Sequence, residues 1–244
     1  MKTSKPNISD LADKVRRLLN YDANDPIDFS DLCSRNPNLT IVERPFSDKT
    51  SGMCIKNEPG SGIIAINSSM PLGRQHFTLA HELYHLYFTE TPFIVCPDDE
   101  SSSQNDEEKK ANEFAMFFLM PNYGFYGYFE DMCGGALTID TILKMEHYYQ
   151  VSRRALLSKL CFLKLLDPVY KEQFLVNIVR TASEKGYPKN LYQSPCFAQS
   201  TTYGKYVALV NDLFSRGVIS KQKRDELLLD AYRDDIVFPQ PEGK

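Results

Sequence analysis

Arg74-Gln75-His76-Phe77-Thr78-Leu79-Ala80-His81-Glu82-Leu83-Tyr84-His85 is the stretch on which the reading of this chain turns. It ends in a His-Glu-x-x-His run. On a helix, residues four apart fall on one face, so His81 and His85 can grip a single ion while Glu82 stands beside it. Pro71 suits the start of such a helix, and Pro92 and Pro97 follow it, so the spacing predicts a helix from Pro71 to about Phe88. Two imidazoles and an adjacent carboxylate are the parts that zinc-dependent peptide hydrolysis requires.

Working outward, 244 residues with 42% apolar and 25% charged side chains are ordinary globular material. No run approaches the roughly 18 apolar residues of a membrane span, and Met1 to Asp10 lacks the apolar centre of a signal peptide, so the expected location is cytoplasmic with no membrane partner. Six scattered cysteines without a C-x-x-C pair argue for reduced thiols. A net charge of −4 lacks the footprint of a general nucleic-acid binder, although a local basic patch stays open.

The expected fold is α+β: a zincin-like catalytic domain with a small N-terminal β-sheet and the motif helix, followed by a mainly helical C-terminal region. Helical spacing opens the chain at Asn7 to Leu19, and Asp25-Pro26 reads as the start of a short second helix. Strands are expected at Leu39 to Glu43, Ser51 to Lys56 and Gly62 to Asn67. After the motif helix, Thr89 to Asn105 reads as a polar, mobile loop, and a second helix runs from about Asn105 to Met120. Asn122 to Gly135, rich in Tyr, Phe and Gly, reads as a packed irregular loop. Leu137 to Gln150 and Arg153 to Asp167 form a helix-turn-helix-like pair, and the remainder reads as helices over about Val169 to Lys185, Tyr203 to Arg216 and Lys221 to Arg233. The boundaries are thus a metallopeptidase domain over 1–122, a helix-turn-helix-like region over 123–168 and a helical C-terminal region over 169–244.

A catalytic zinc takes three protein ligands and leaves one position open, so two histidines are not enough. The metzincin slots for a Gly and a third His hold Phe88 and Thr91. His76 lies five residues before His81, about 140° round the helix, and points away. A carboxylate from the second helix is the better candidate. Glu107 and Glu108 flank its apolar stripe on opposite sides, and Glu108 is favoured because Asn112, one turn on, can support a ligand from the next layer out.

The same motif helix, followed by Glu108-Lys109-Lys110-Ala111-Asn112-Glu113-Phe114-Ala115 and Leu119-Met120-Pro121, resembles the ImmA/IrrE family of bacterial and phage metallopeptidases over about Asp10 to Pro121. The resemblance implies zinc held by His81, His85 and Glu108, with Glu82 as catalytic base. It also implies a partner: a helix-turn-helix transcriptional repressor, cleaved to derepress stress, phage or mobile-element genes. Tyr84 departs from the pattern, which usually has Gly there.

Four further expectations follow from the residues. Cys96 is a candidate inhibitory ligand for the open zinc position. Tyr123, Tyr126 and His147 are candidates for steadying an oxyanion. An extended peptide would add to the Gly62 to Asn67 strand as a sheet edge. Arg153, Arg154, Lys159 and Lys164 could face phosphates, which leaves a second reading: a non-catalytic zinc-containing regulator or toxin-antitoxin component that binds DNA or protein.

Overall fold

The computed structural model describes residues 7–22, 24–97, 106–133 and 137–239. In chain order the elements are α1 (Ile8–Leu18), α2 (Leu32–Arg35), β1 (Leu39–Arg44), β2 (Thr50–Glu58), β3 (Ser61–Asn67), α3 (Leu72–Phe88), β4 (Phe93–Pro97), α4 (Asp106–Leu119), α5 (Asn122–Cys133), α6 (Ile139–Tyr149), α7 (Arg153–Phe162), α8 (Ile178–Glu184), β5 (Thr201–Gly204), α9 (Lys205–Ser215), α10 (Lys221–Asp230) and α11 (Asp234–Val237). The architecture is α+β, with one five-stranded sheet in the order β4-β2-β3-β1-β5.

Alternation fixes the sheet's faces. Cys54 on β2, Ile64 and Ile66 on β3 and Leu39 and Ile41 on β1 are buried with Leu79, Leu83 and Leu86 of α3, while Ile55, Ile63 and Phe93, one residue out of phase, remain exposed. β3 runs parallel to β1 and antiparallel to β2. It therefore has neighbours on both sides and cannot receive an added strand. That overturns the expected edge at Gly62 to Asn67; β4 and β5 hold the edges instead.

Asn67 sets the exit from β3 into α3. Its buried side chain accepts from the backbone of Phe46 and Ser69 and donates to the Thr50 carbonyl. The first turn of α3 has no side-chain cap. Its orphan N–H groups at Leu72 and Gly73 donate instead to the carbonyls of Asn190 and Leu191. A Cβ at Gly73 would lie 2.7 Å from the Ser152 nitrogen, so only glycine lets the start of α7 come this close to α3.

α3 and α4 pack together through Phe88, Phe114 and Phe118, and Phe114 and Phe118 are fully buried. Burying each such ring contributes about 2 kcal/mol. Arg16 of α1, only 1% exposed, ties α4 down by donating to the Phe118 carbonyl at 2.5 Å, a cation placed against a helix C-terminus.

Several elements differ from the sequence expectations. Asp25-Pro26 opens no helix; a 3-10 turn at Phe29–Asp31, capped by Asp28, leads into the four-residue α2. Within the expected loop, Phe93 to Pro97 forms β4, because apolar, branched side chains find an open edge on β2; residues 98–105 lie outside the described set. The segment taken as an irregular loop is α5. Burial overrides its glycines: Phe125 is fully buried and stacks on Tyr149, and Tyr128 stacks on Tyr148 with centroids 3.9 Å apart. Gly124 suits this packing, since a Cβ there would meet the Asn24 backbone at 2.5 Å.

The C-terminal region is not all helical either. β5 pairs antiparallel with β1, and the expected helix over Val169 to Lys185 breaks into two 3-10 turns and the short α8, with Asn177 left-handed at φ 52°. One apolar core runs from Ala12 to Leu166, and a smaller one gathers Val207, Val210 and Leu228. No helix among the described residues is long and apolar enough to cross a membrane.

Candidate metal centre

α3 carries His81, Glu82 and His85 inside its buried span, and α4 lies across it. Its run of apolar and aromatic positions sinks that face into the core, so the imidazoles arrive nearly stripped of water: His81 is 7% exposed and His85 1%. Glu108, at the start of α4, faces both. His81 Nε2 lies 3.1 Å from Glu108 Oε2, His85 Nε2 lies 3.5 Å from Glu108 Oε1, and the two Nε2 atoms are 3.1 Å apart. Tetrahedral ligands at about 2.0–2.2 Å from an ion stand about 3.3–3.6 Å from one another, close to these separations.

The outer nitrogens fix which atoms face inward. His81 Nδ1 is 2.9 Å from Asn112 Oδ1, and an amide oxygen only accepts, so Nδ1 carries the proton and Nε2 presents its lone pair. His85 Nδ1 is 2.9 Å from Thr89 Oγ1, a contact that orients the second ring with Nε2 toward Glu108, while the hydroxyl can serve either tautomer. Two imidazole Nε2 atoms and a carboxylate then converge within 4.8 Å. Such a donor set repels itself unless a cation lies among its members, and nitrogen-nitrogen-carboxylate is a set that zinc accepts. The residues present therefore fit a metal ion.

The electrostatics agree. Burial pushes the His85 pKa down to about 4, with His81 adding to the effect. Burial also opposes charging His81, but Glu108 and Glu82 together lift it above the ordinary value. The His81 hydrogen bond holds the Glu108 carboxyl below the usual range. Beside Glu108 one protonated imidazole is tolerated and two are not.

Glu82 is fully buried one position along from His81. β2 lies against it: a Cβ on Gly52 would stand 2.9 Å from Glu82 Oε1 and 2.6 Å from Thr78 Cγ2, so a bare backbone is needed there. Glu107 turns away from the histidines; it accepts from the Tyr84 hydroxyl at 3.1 Å and pairs with Lys110. Tyr84 is buried between Phe88 and Phe114.

Of the other sequence candidates, Cys96 lies in β4 opposite Gly52, and its side chain falls outside the described residues. Tyr123 is 83% exposed, and Tyr126 and His147 make their contacts elsewhere, Tyr126 donating to the Leu163 carbonyl and His147 stacking on Tyr187. His76 points away as expected and meets the Gln150 carbonyl. Arg153 is buried in a two-bond pair with Glu146, and Lys159 is buried against Asn122, so neither is presented to a phosphate. Thr89 is the residue that sequence reasoning missed. Its signal was a hydroxyl one turn beyond the second histidine.

A family model described as the IrrE N-terminal-like domain, peptidase family M78, matches residues 35–160. The matched span runs beyond Pro121 through α5 and α6 and into α7, further than the motifs alone reach. No curated protein matches the chain.

Proposed function

Because the chain belongs to the IrrE N-terminal-like family of metallopeptidases, we propose that it is a zinc-dependent endopeptidase of zincin-like design, with His81, His85 and Glu108 as ligands and Glu82 as general base. The observation that carries this reading is the convergence of three inward-facing donors, each histidine oriented from behind by Asn112 or Thr89. A zinc ion bound there supplies Lewis acidity, which polarises a peptide carbonyl and acidifies water.

The protein's own contribution is proton handling and orientation. Glu82 takes a proton from the attacking water onto its carboxylate and returns it to the leaving amine nitrogen. Its burial against Gly52 keeps competing water away and strengthens each charge interaction. Asn112 holds the His81 imidazole in one tautomer and Thr89 holds the His85 ring in place, so the ligand atoms need little rearrangement.

The substrate in this reading is a helix-turn-helix repressor, a class suggested by the family resemblance, and cleavage would derepress stress, phage or mobile-element genes inside the cell. Incubation of the purified chain with the helix-turn-helix protein encoded beside it, with zinc and with chelator, tests this. Zinc-dependent fragments are expected. An intact partner that instead co-purifies with the chain favours a binding-only regulator.

A further inference from the structure

β1 places a carboxylate on a face of the sheet that is otherwise apolar. Side chains alternate along a strand, so Leu39, Ile41 and Glu43 share one face, and Leu39 and Ile41 are buried there in the core. Glu43 is half-buried beside Ile66, its buried neighbour on β3. No described residue donates a hydrogen bond to its carboxylate or forms an ion pair with it, and burial alone pushes its pKa up.

Glu43 lines a cavity of about 290 Å³ to which α2, β1, β3, α3 and β5 all contribute. That volume stands at the small end of small-molecule sites, which run from roughly 300 Å³ upward. The cavity is on the side of α3 away from the metal donors, since its wall holds His76, five residues before His81. Ile41, Leu79 and the rings of Phe29 and Tyr203 supply apolar lining. Among the described residues that line it there is no lysine or arginine. The ring and amide nitrogen donors of the wall are turned to the backbone: Gln75 Nε2 donates to the Ser68 and Met70 carbonyls, and His76 Nδ1 to that of Gln150. Burial also pulls the His76 pKa down, so this ring brings no charge. A carboxylate drawn out of water costs stability unless a cation or donors meet it, and the wall supplies neither.

We propose that this cavity binds a small organic ammonium compound, whose charged head donates to Glu43 and whose apolar body lies against Phe29 and Tyr203. An ammonium group brings the charge and the donors that the wall lacks, and aromatic faces favour a cation beside them. A metal ion is a poorer match: Cys33, Glu43 and His76 do not bring three ligand atoms within 4.8 Å, as His81, His85 and Glu108 do. An anionic ligand would face an uncompensated carboxylate. The site stands apart from the peptidase reading and does not rest on it.

Cys33 lines the cavity, so its protection reads occupancy on the spot. The full chain is treated with methyl methanethiosulfonate, a small thiol reagent, and modification of each cysteine is followed by peptide mass spectrometry, with the exposed Cys196 as internal control. Three probes of similar shape and different charge are compared: benzylamine, benzyl alcohol and benzoate. Benzylamine should slow modification of Cys33 and not of Cys196, at roughly tenfold lower concentration than benzyl alcohol requires, and benzoate should give no protection. Unfolding temperature should rise in the same order of probes, which gives a second readout. Glu43→Gln, which keeps the shape of the side chain, should bring benzylamine level with benzyl alcohol. A preference for benzylamine that survives Glu43→Gln overturns the site, as does protection by benzoate or equal slowing at Cys196. So does benzylamine that neither protects Cys33 nor raises the unfolding temperature. Results should be the same with zinc and with chelator; protection that needs zinc would put the amine at the metal centre and sink the proposal.

Discussion

Asn112 Oδ1 lies 2.9 Å from His81 Nδ1, and this pairing joins the helix of the histidines to the helix of the carboxylate. It fixes a ring and a helix crossing at once. Asn112→Ala should therefore lower zinc affinity about 10- to 100-fold while the chain stays folded. Competition with a zinc-binding dye measures this, and an unchanged affinity would show that Asn112 only packs.

Tyr84 predicts a graded series. Tyr84→Phe removes the hydroxyl that reaches Glu107 and should cost about 1 kcal/mol of stability. Tyr84→Gly, the residue usual in the family pattern, empties the space between Phe88 and Phe114 and should cost about 3–5 kcal/mol. Urea unfolding separates the two. Equal stability of both variants would mean that the ring contributes nothing.

Gly52 predicts a loss through crowding. In Gly52→Ala the new methyl meets Thr78 and Glu82 at less than 3.0 Å, and one of them must shift. Peptide hydrolysis should fall at least tenfold while zinc content stays at the wild-type level. A fully active Gly52→Ala would place the general base elsewhere.

Lys159 makes stability depend on pH. Burial pushes its pKa down to about 7, against an ordinary 10.5. The folded state thus holds this proton less tightly than the unfolded chain, so the group costs stability below pH 7. The cost fades as pH rises from about 7 towards 10.5. Lys159→Met should stabilise the protein at pH 6 by on the order of a few kcal/mol, with the advantage gone near pH 10. The bond to Asn122 and the nearby Phe117 ring oppose part of that gain. Denaturant midpoints across pH give the answer, and a benefit that grows with pH would contradict it.

The candidate metal site was legible in the sequence because its parts obey short periods. His81 and His85 are one turn apart, and Glu108 and Asn112 are one turn apart, so each helix could be read alone. What had to be seen in space was which carboxylate turned inward: Glu107 and Glu108 flank the same stripe, and the Tyr84 hydroxyl and Lys110 draw Glu107 aside. Thr89 stayed hidden because it follows the last helical residue, where periodicity gives no direction. β5 was illegible for another reason: Thr201–Gly204 is a strand only because β1, about 160 residues earlier, pairs with it. α5 has the reverse problem, with glycines that argue against a helix and aromatic packing on Tyr148 and Tyr149 that outweighs them.

Glu82→Gln, measured for bound zinc and for cleavage side by side with the unsubstituted chain, tests the role of the buried carboxylate most directly. Both proteins are expected to carry one zinc ion per chain, and only the unsubstituted chain is expected to cut its peptide substrate, with the variant slower by at least a hundredfold. Cleavage at an equal rate, or a chain that takes up no zinc at His81, His85 and Glu108, would contradict it.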